Sequence, residues 1–501
     1  MTMSNIRDMR GFLASSLASS IGVTCAAALV LPLAPTASAA SPSAANSGAR
    51  PAPTAVRQAV QHPAALPGST QSLPLAPLTR DRAIGPAVPE QGLSRDHVRP
   101  FSLVGVVWND PDAVLHGRVQ VRTRASGTGA WSGWQDLQTH NDDGADPDAA
   151  ERTSGHVRGS TAPLWVGDSD GVDVRVRAEG ERRTDDTARG TRTATAFAPL
   201  PAGLRLELVD PGPQTASRAM PPPARTDIES DTSDTSDTSD APGDRGLGAE
   251  SAESLTASAA NAELAPLGAT EIPELGRAAT ESEQRTLRGA ELTEVQRTNP
   301  FIGPRPRIIT RRGWGADESL RDRGFVYTKK VKAAFVHHTA SGNGYRCSQA
   351  ASVIRGIYRY HVKSMGWRDI GYNFLVDKCG NIYEGRAGGV AKPVLGAHTL
   401  GFNTNSMGIA VLGSFGSAKP PAAALKAIAR LTAWKLGLYG ANPRGKTYLK
   451  SGGGNLYRKG KSVRLNVISG HRDGFATDCP GRQLYRKLGT ARTTAARYQG
   501  R

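Results

Sequence analysis

The first half of the chain contains short segments in which hydrophobic and polar residues alternate. This period of two is typical of strands with one buried face, and Gly, Asp and Ser turns separate the segments. We therefore predict a small all-β accessory domain of the β-sandwich type over residues 96–210. Its predicted strands are 102–108, 118–123, 172–176 and 204–208.

From residue 306 to 495 the pattern changes to buried strands interspersed with helical periods, which predicts an α/β domain with a mixed β-sheet flanked by helices. The predicted strands are 333–338, 407–412, 463–468 and a hairpin of 373–377 and 381–384. Helices are predicted over 350–361 and from Pro421 to Gly437 or Gly440.

The remaining segments show neither the period of two that is typical of strands nor a helical period. Arg7 and Arg10 precede an apolar run that ends at Ala37-Ser38-Ala39, which predicts a signal peptide over 1–39, with a retained membrane anchor as the alternative. Residues 40–95 are rich in Ala, Pro and Ser and predict a disordered leader. Residues 211–305 include an Asp-Thr-Ser repeat and predict a disordered acidic linker. We expect a secreted or cell-wall protein, monomeric and without a membrane span after signal cleavage.

Charge is distributed unequally along the chain. Residues 301–501 carry 35 Lys and Arg against 8 Asp and Glu, a formal charge of +27, whereas the whole chain carries +17. A strongly basic surface attracts polyanions such as the anionic polymers of a bacterial wall. Nucleic acid is the least available polyanion for an exported protein, so we expect no nucleic-acid partner. A solvated basic face without a dedicated partner remains the alternative.

The four cysteines have different expected roles. Cys25 lies in the predicted signal peptide, and Cys479 lies close to His471. Cys347 and Cys379 remain, and disulfides persist in exported proteins. We predict that these two form a disulfide, with two buried thiols as the alternative.

His337, His338, His471 and Cys479 are candidate metal ligands. Neighbouring side chains on a strand face opposite ways, so only one of the adjacent histidines is expected to bind a given ion. His471 and Cys479 are separated by a loop long enough to bring imidazole and thiolate together. Zinc prefers these ligands, and a set of three leaves a position open for catalysis. On spacing alone, the alternative is that these histidines have a purely structural role.

Several motifs in one order resemble the peptidoglycan recognition protein family, which shares its fold with phage-type N-acetylmuramoyl-L-alanine amidases. The resemblance covers about residues 306–490. The motifs are Arg312-Gly313-Trp314-Gly315, Val336-His337-His338-Thr339, Trp367 to Phe374, Tyr383-Glu384-Gly385-Arg386, Gly396-Ala397-His398-Thr399, Ser406-Met407-Gly408-Ile409, Gly470-His471-Arg472-Asp473 and Cys479-Pro480-Gly481.

The resemblance implies roles for individual residues. It implies that Zn2+ is the cofactor and that Tyr372 helps to position the attacking water or the scissile carbonyl. Thr477 stands where phage members place a lysine and is our second candidate catalytic residue. The implied metal ligands are His337, His471 and Cys479, and the implied substrate-binding residues are His398, Asn403, Trp367 and Arg386.

We therefore predict a zinc-dependent amidase that cleaves peptidoglycan between N-acetylmuramic acid and L-alanine. The alternative is a non-catalytic recognition protein, but such receptors typically lack the cysteine ligand that this chain keeps. Two departures from the family limit the comparison. Ala410 stands where one amidase group has a glutamate base, and Ala387-Gly388 follow Arg386 in place of the Gly-Trp pair that animal members use for stem peptides with diaminopimelate.

Overall fold

A computed structural model describes residues 68–78, 88–139, 143–187, 190–213 and 251–501. The predicted signal peptide, residues 40–67 of the predicted leader and the Asp-Thr-Ser repeat lie outside the described residues. Within the described ranges, each helix is too short or too polar to cross a membrane.

The N-terminal part is all β, as predicted. Its longest strand, β8, pairs with β4 through its first residues and with β3 and β5 through its later ones, so that it connects these strands in one nine-stranded sheet. Strands β9 and β10 form a separate hairpin. The strands are β1 (Ser69–Pro74), β2 (Ala76–Pro77), β3 (Glu90–Arg95), β4 (Phe101–Trp108), β5 (Gly117–Ala125), β6 (Gln135–Leu137), β7 (Gly159–Ser160), β8 (Leu164–Ala178), β9 (Gly180–Thr187), β10 (Gly190–Phe197) and β11 (Arg205–Asp210).

Part of the predicted leader is ordered, which corrects the prediction for residues 40–95. Strand β1 pairs with β11, and β3 pairs with β8. Leu73 and Leu93 pack against the core formed by residues such as Val104, Val174 and Leu206. Strands β1 and β3 each contain one leucine among mostly polar residues. Composition therefore failed to reveal them.

The C-terminal part is the predicted α/β domain with a mixed sheet. The strand order is β12-β13-β16-β15-β17-β14-β20. Strands β15, β17, β14 and β20 run parallel, with β20 at one edge of the sheet, whereas β16 is antiparallel to β15. The strands are β12 (Glu271–Ile272), β13 (Ile308–Ile309), β14 (Ala333–His338), β15 (Phe374–Val376), β16 (Ile382–Glu384), β17 (Ser406–Val411) and β20 (Ile468–Gly470).

Helices cover the sheet. Two of them, α6 and α8, pack with Val336, Ile409 and Ile468 in one apolar cluster. Helix α5 continues into a π-helical turn (Tyr360–Ser364) and packs elsewhere, as described below. The helices are α1 (Ala252–Ala259), α2 (Arg277–Arg288), α3 (Glu294–Thr298), α4 (Arg311–Trp314), α5 (Ala350–Arg359), α6 (Ala422–Gly437), α7 (Arg482–Tyr485) and α8 (Leu488–Gln499).

Residues 251–305 are ordered, which corrects their assignment to the predicted disordered linker. They contribute α1 to α3 and the edge strand β12. The side chain of Gln284 donates to the carbonyl of Gly437 at 2.9 Å, and that of Asn261 donates to Glu384 at 2.9 Å. Apolar residues of this segment also lie in the main apolar core, namely Leu264, Ala265, Ile272 and Ile302. They are scattered among polar residues, so the composition resembled that of a linker.

The predicted strand 463–468 is two strands. Strand β19 (Ser462–Asn466) pairs with β18 (Lys446–Lys450) in a separate ribbon, and β20 then joins the main sheet beside β14. The break occurs at Val467, whose amide donates to the carbonyl of Gly445 at 3.0 Å. The ribbon thus ends where the strand carrying the chain towards His471 begins.

Cys347 and Cys379 form a disulfide. It connects the turn before α5 to the hairpin between β15 and β16. The bond therefore anchors the helix to the strand pair that follows Tyr372.

The two parts of the chain share an apolar cluster. Leu103, Val107 and Val209 of the β part lie in the same cluster as Ile354 and Ile357 of α5. In addition, the hydroxyl of Tyr360 donates to the carbonyl of Thr161 at 3.1 Å. The contact is apolar and contains buried hydrogen bonds, which is typical of a stable rather than a transient interface.

Candidate metal centre and groove

Strand register places two of the candidate ligands side by side. Strands β14 and β20 are parallel with Val336 opposite Gly470, so His337 and His471 follow at the same end of the sheet. Their ring centroids are 4.5 Å apart, and both side chains are buried. His338 faces away, and its Nδ1 accepts a hydrogen bond from the amide of Phe415 at 3.2 Å.

The loop after β20 brings Cys479 to the same place. It is closed by the amide of Arg472, which donates to the carbonyl of Cys479 at 3.1 Å. The Sγ atom then lies 3.7 Å from Nδ1 of His337 and accepts from the amide of His338 at 3.4 Å. Ligand atoms of His337, His471 and Cys479 all lie within 4.8 Å of one another.

The chemistry of this cluster fits a zinc ion. Both ring nitrogens of His471 are buried without a hydrogen-bond partner, an arrangement that a bound cation would explain. Burial lowers the pKa of His337 and of His471 to about 3, so both imidazoles are neutral and keep a lone pair for a metal. The hydroxyl of Thr399 lies 3.3 Å from Nε2 of His337 and fixes the orientation of that ring.

A fourth group, Asp143, comes from the N-terminal part. Its Oδ1 lies 3.0 Å from Nδ1 of His337 and 3.4 Å from Nδ1 of His471. The hydroxyl of Tyr372 donates to its Oδ2 at 2.6 Å. Burial raises the pKa of Asp143 to about 6, although His471 and the Tyr372 hydroxyl act in the opposite direction. Sequence reasoning missed Asp143 because it precedes Tyr372 by 229 residues and belongs to no motif.

Two predicted substrate-binding residues contact the same stretch of chain as Asp143. The side-chain amide of Asn403 donates to the carbonyl of Gly144 and to Asp146, each at 2.8 Å. The guanidinium of Arg386 forms a two-pronged ion pair with Glu151, at 2.8 and 2.9 Å. Both side chains of this ion pair are almost completely buried.

The other predicted site residues, His398, Trp367 and Thr477, contact side chains or backbone around the candidate ligands. His398 is buried, with its ring centroid 5.3 Å from that of His337, and its Nδ1 lies 3.0 Å from the Thr399 hydroxyl. Trp367 is also buried and packs on the ring of His361 with a centroid distance of 4.5 Å. The hydroxyl of Thr477 accepts from the amide of Cys479 at 3.2 Å, so its observed contact is with the loop that carries the thiol.

Two protein families match separate parts of this chain. Residues 53–199 match the family described as Rv3811 N-terminal galactose-binding domain-like. Residues 327–482 match the family described as N-acetylmuramoyl-L-alanine amidase. The second match contains the whole candidate cluster except Asp143.

Individual relatives match the C-terminal part. Peptidoglycan-recognition protein SC2 of Drosophila melanogaster is 30% identical over 186 residues, which are 36% of this chain and 85% of that protein. The Homo sapiens N-acetylmuramoyl-L-alanine amidase is 33% identical over 198 residues, which are 38% of this chain and 29% of that protein. A solved structure of Drosophila PGRP-LB aligns with 36% of this chain and 92% of its own, at 25% identity and a TM-score of 0.29.

Proposed function

Because the chain belongs to the family of peptidoglycan recognition proteins and N-acetylmuramoyl-L-alanine amidases, we propose that it is a zinc-dependent amidase. Its substrate would be the amide that joins N-acetylmuramic acid to L-alanine in peptidoglycan. The observation that carries the proposal is the convergence of His337, His471 and Cys479 beside the Tyr372 hydroxyl.

In this proposal, two imidazoles and one thiolate hold Zn2+. When bound, the ion would supply Lewis acidity, which polarises a carbonyl and makes water a nucleophile at neutral pH. The amide of His338, which donates to Sγ of Cys479, stabilises negative charge on the sulfur. Thr399 orients His337 in the same way that supporting hydrogen bonds orient ligands in other zinc enzymes.

Tyr372 is the proposed donor to the developing oxyanion. Burial raises its pKa well above the ordinary value, so the hydroxyl keeps its proton. The hydroxyl already donates to Oδ2 of Asp143, the carboxylate whose other oxygen lies beside the two imidazoles. A substrate carbonyl oxygen in that position would receive the same hydrogen bond, and the bond would strengthen as charge develops. Ala410 provides no carboxylate from β17, so a base on that strand has no part in the proposal.

The alternative, recognition of peptidoglycan without hydrolysis, requires the same groove but no thiolate. The buried Cys479 beside two neutral imidazoles favours the enzyme. Mass spectrometry of a soluble muropeptide incubated with the full chain discriminates between the two. We expect a peptide with a free L-alanine amino group and a sugar with a free lactyl carboxylate. An unchanged muropeptide that nevertheless binds would support the recognition protein.

We also propose that basic residues hold the domain on anionic wall polymer. The β18–β19 ribbon exposes Lys446, Lys450 and Arg464 on one face. Two neighbouring lysines are engaged within the chain: Lys459 pairs with Asp148, and the amino group of Lys332 donates to the carbonyl of Tyr448. The ribbon is therefore the better candidate surface.

Replacing Lys446, Lys450 and Arg464 with alanine should weaken the binding of the full chain to wall preparations by roughly tenfold. Each exposed ion pair with the polymer is expected to contribute about 0.5 kcal/mol to the binding free energy. Added salt should weaken binding of the wild type, because screening lengths shorten to about 3 Å at 1 M. Co-sedimentation measures both effects, and alanine at the exposed Arg95 and Arg99 of the β part is the control. Binding that is unaffected by salt and by the ribbon substitutions would contradict the proposal.

A further inference from the structure

Residues 143–151, which we term the acidic segment, lie on the surface of the C-terminal domain formed by Asn403, Arg386, Tyr372 and the candidate metal ligands, which we term the groove. Each of its three inward carboxylates contacts a residue that sequence reasoning assigned to metal or substrate. Asp143 contacts His337, His471 and Tyr372, whereas Asp146 contacts Asn403 and Glu151 contacts Arg386. The segment thus covers residues that the family resemblance assigns to metal and substrate.

The carboxylate of Asp143 lies beside two of the three proposed metal ligands. Its Oδ1 is close to both imidazole nitrogens that face the cluster, and this oxygen is buried without a hydrogen-bond partner. Carboxylate oxygens are ordinary zinc ligands, and two histidines, one cysteine and one carboxylate complete a tetrahedral set. The second oxygen accepts from Tyr372. Hydrolysis of the proposed amide leaves a lactyl carboxylate, and Asp143 offers two oxygens in the same chemical form.

The rest of the segment is held in place by hydrogen bonds and apolar packing. Glu151 also accepts from the amide of Arg368 at 3.1 Å, so both of its oxygens are satisfied. Asp146 accepts from the amide of Gly401 at 2.9 Å and from the side chain of Asn403. Ala145 is buried in the apolar cluster that the two parts of the chain share. Charge favours the contact, because an acidic peptide lies on a domain with a large positive charge.

We propose that the acidic segment is a built-in occupant of the groove and that Asp143 closes the metal site as its fourth ligand. This inference rests on the proposed function, because it assigns regulation to the same site. The shared apolar cluster holds the segment beside the groove, so that its effective concentration there is high. Peptidoglycan must displace the segment before its amide reaches the metal, and the chain is latent until then.

The experiment compares the full chain with Asp143→Ala, Asp143→Asn and Glu151→Gln. The asparagine and glutamine variants keep side-chain shape, which guards against loss of folding. Asp136→Asn is the matched control, because Asp136 is an exposed, ion-paired carboxylate of the same part of the chain. Calorimetry measures affinity for a soluble muropeptide in the presence of a chelator, and competition with a chromophoric chelator measures affinity for Zn2+.

We expect all three variants to bind the muropeptide at least tenfold more tightly than the wild type, because an occupied groove reduces apparent affinity by the fraction of open molecules. Both Asp143 variants should bind Zn2+ about tenfold more weakly, whereas Glu151→Gln should not. In Co2+-loaded protein, the visible absorption bands should change in the Asp143 variants alone. Hydrolysis should increase in Glu151→Gln.

Several results would overturn the inference. Unchanged affinities for muropeptide and Zn2+ would show that the segment neither fills the groove nor binds the metal. Loss of hydrolysis in Asp143→Asn, with unchanged muropeptide affinity, would make Asp143 part of the catalytic machinery. If every variant binds the muropeptide more tightly and none hydrolyses it, the result supports occupation of the groove by the acidic segment and contradicts the proposed amidase activity.

Discussion

Replacing Cys479 with serine should reduce release of L-alanine amino termini from peptidoglycan by at least about a thousandfold. The thiolate is one of three proposed metal ligands, and loss of Lewis acid assistance removes several kcal/mol of transition-state stabilisation. His471→Ala should have the same effect. The rates are measured in the full chain and also in the Asp143→Ala background, so that occupation of the groove by the acidic segment cannot conceal the effect of the substitutions. Metal content by atomic emission should fall in parallel.

The adjacent histidine provides the matched control. Asparagine at position 338 places an oxygen close to the position of Nδ1, so it preserves the hydrogen bond from the amide of Phe415. His338→Asn should therefore retain both metal and activity, although His338 immediately follows the proposed ligand. Equal loss of activity in His338→Asn and His471→Ala, or full activity in a zinc-free Cys479→Ser protein, would refute the ligand assignment.

Replacing Tyr372 with phenylalanine should lower kcat by about 100- to 1000-fold, the usual effect of removing one donor to an oxyanion. The ring, which packs against His337 and His361, would remain in place. In the Asp143→Ala background, zinc affinity should change little, because the hydroxyl is not a proposed ligand and the carboxylate to which it donates is absent. KM should also change little, since the hydrogen bond is expected to strengthen only in the transition state.

A second buried tyrosine controls for loss of a hydroxyl. Tyr383 donates to Asp377 at 2.9 Å, away from the candidate metal ligands, so Tyr383→Phe tests whether loss of a buried hydroxyl and altered packing by themselves reduce the rate. We expect it to affect stability rather than kcat. A Tyr372→Phe enzyme with wild-type kcat, in a background with an open groove, would exclude Tyr372 from catalysis.

The C-terminal fold was predictable because its central elements have strong periods. The apolar run at β17 and the helical spacing of α5 and α6 identify buried elements that a mixed sheet requires. His337 and His338 are adjacent on one strand, and successive side chains of a strand point to opposite faces. The sequence therefore allowed only one of the two histidines as a ligand of a given ion. The structure places His337 towards His471 and Cys479, whereas His338 contacts Phe415.

Other features depend on contacts between distant segments. Residues 251–305 are anchored by side-chain hydrogen bonds such as that of Gln284 to Gly437, and their composition carries no sign of these partners. Strand β1 similarly depends on β11 for its pairing. Asp143 reaches the candidate metal ligands because the β part packs on α5, and no spacing along the sequence expresses that packing. The basic character of the C-terminal part suggested an acidic partner, but not that the partner is in the same chain.

The most direct test of the amidase proposal is metal removal and reconstitution, with L-alanine amino termini as the readout. Purified full chain and its Asp143→Ala variant are depleted with a chelator, incubated with peptidoglycan, and titrated with Zn2+. We predict no new amino termini in the depleted protein and a rise that saturates at one equivalent of Zn2+ per chain. Amino termini that appear at the same rate with and without metal, or a fully loaded protein that releases none in either form, would contradict the account.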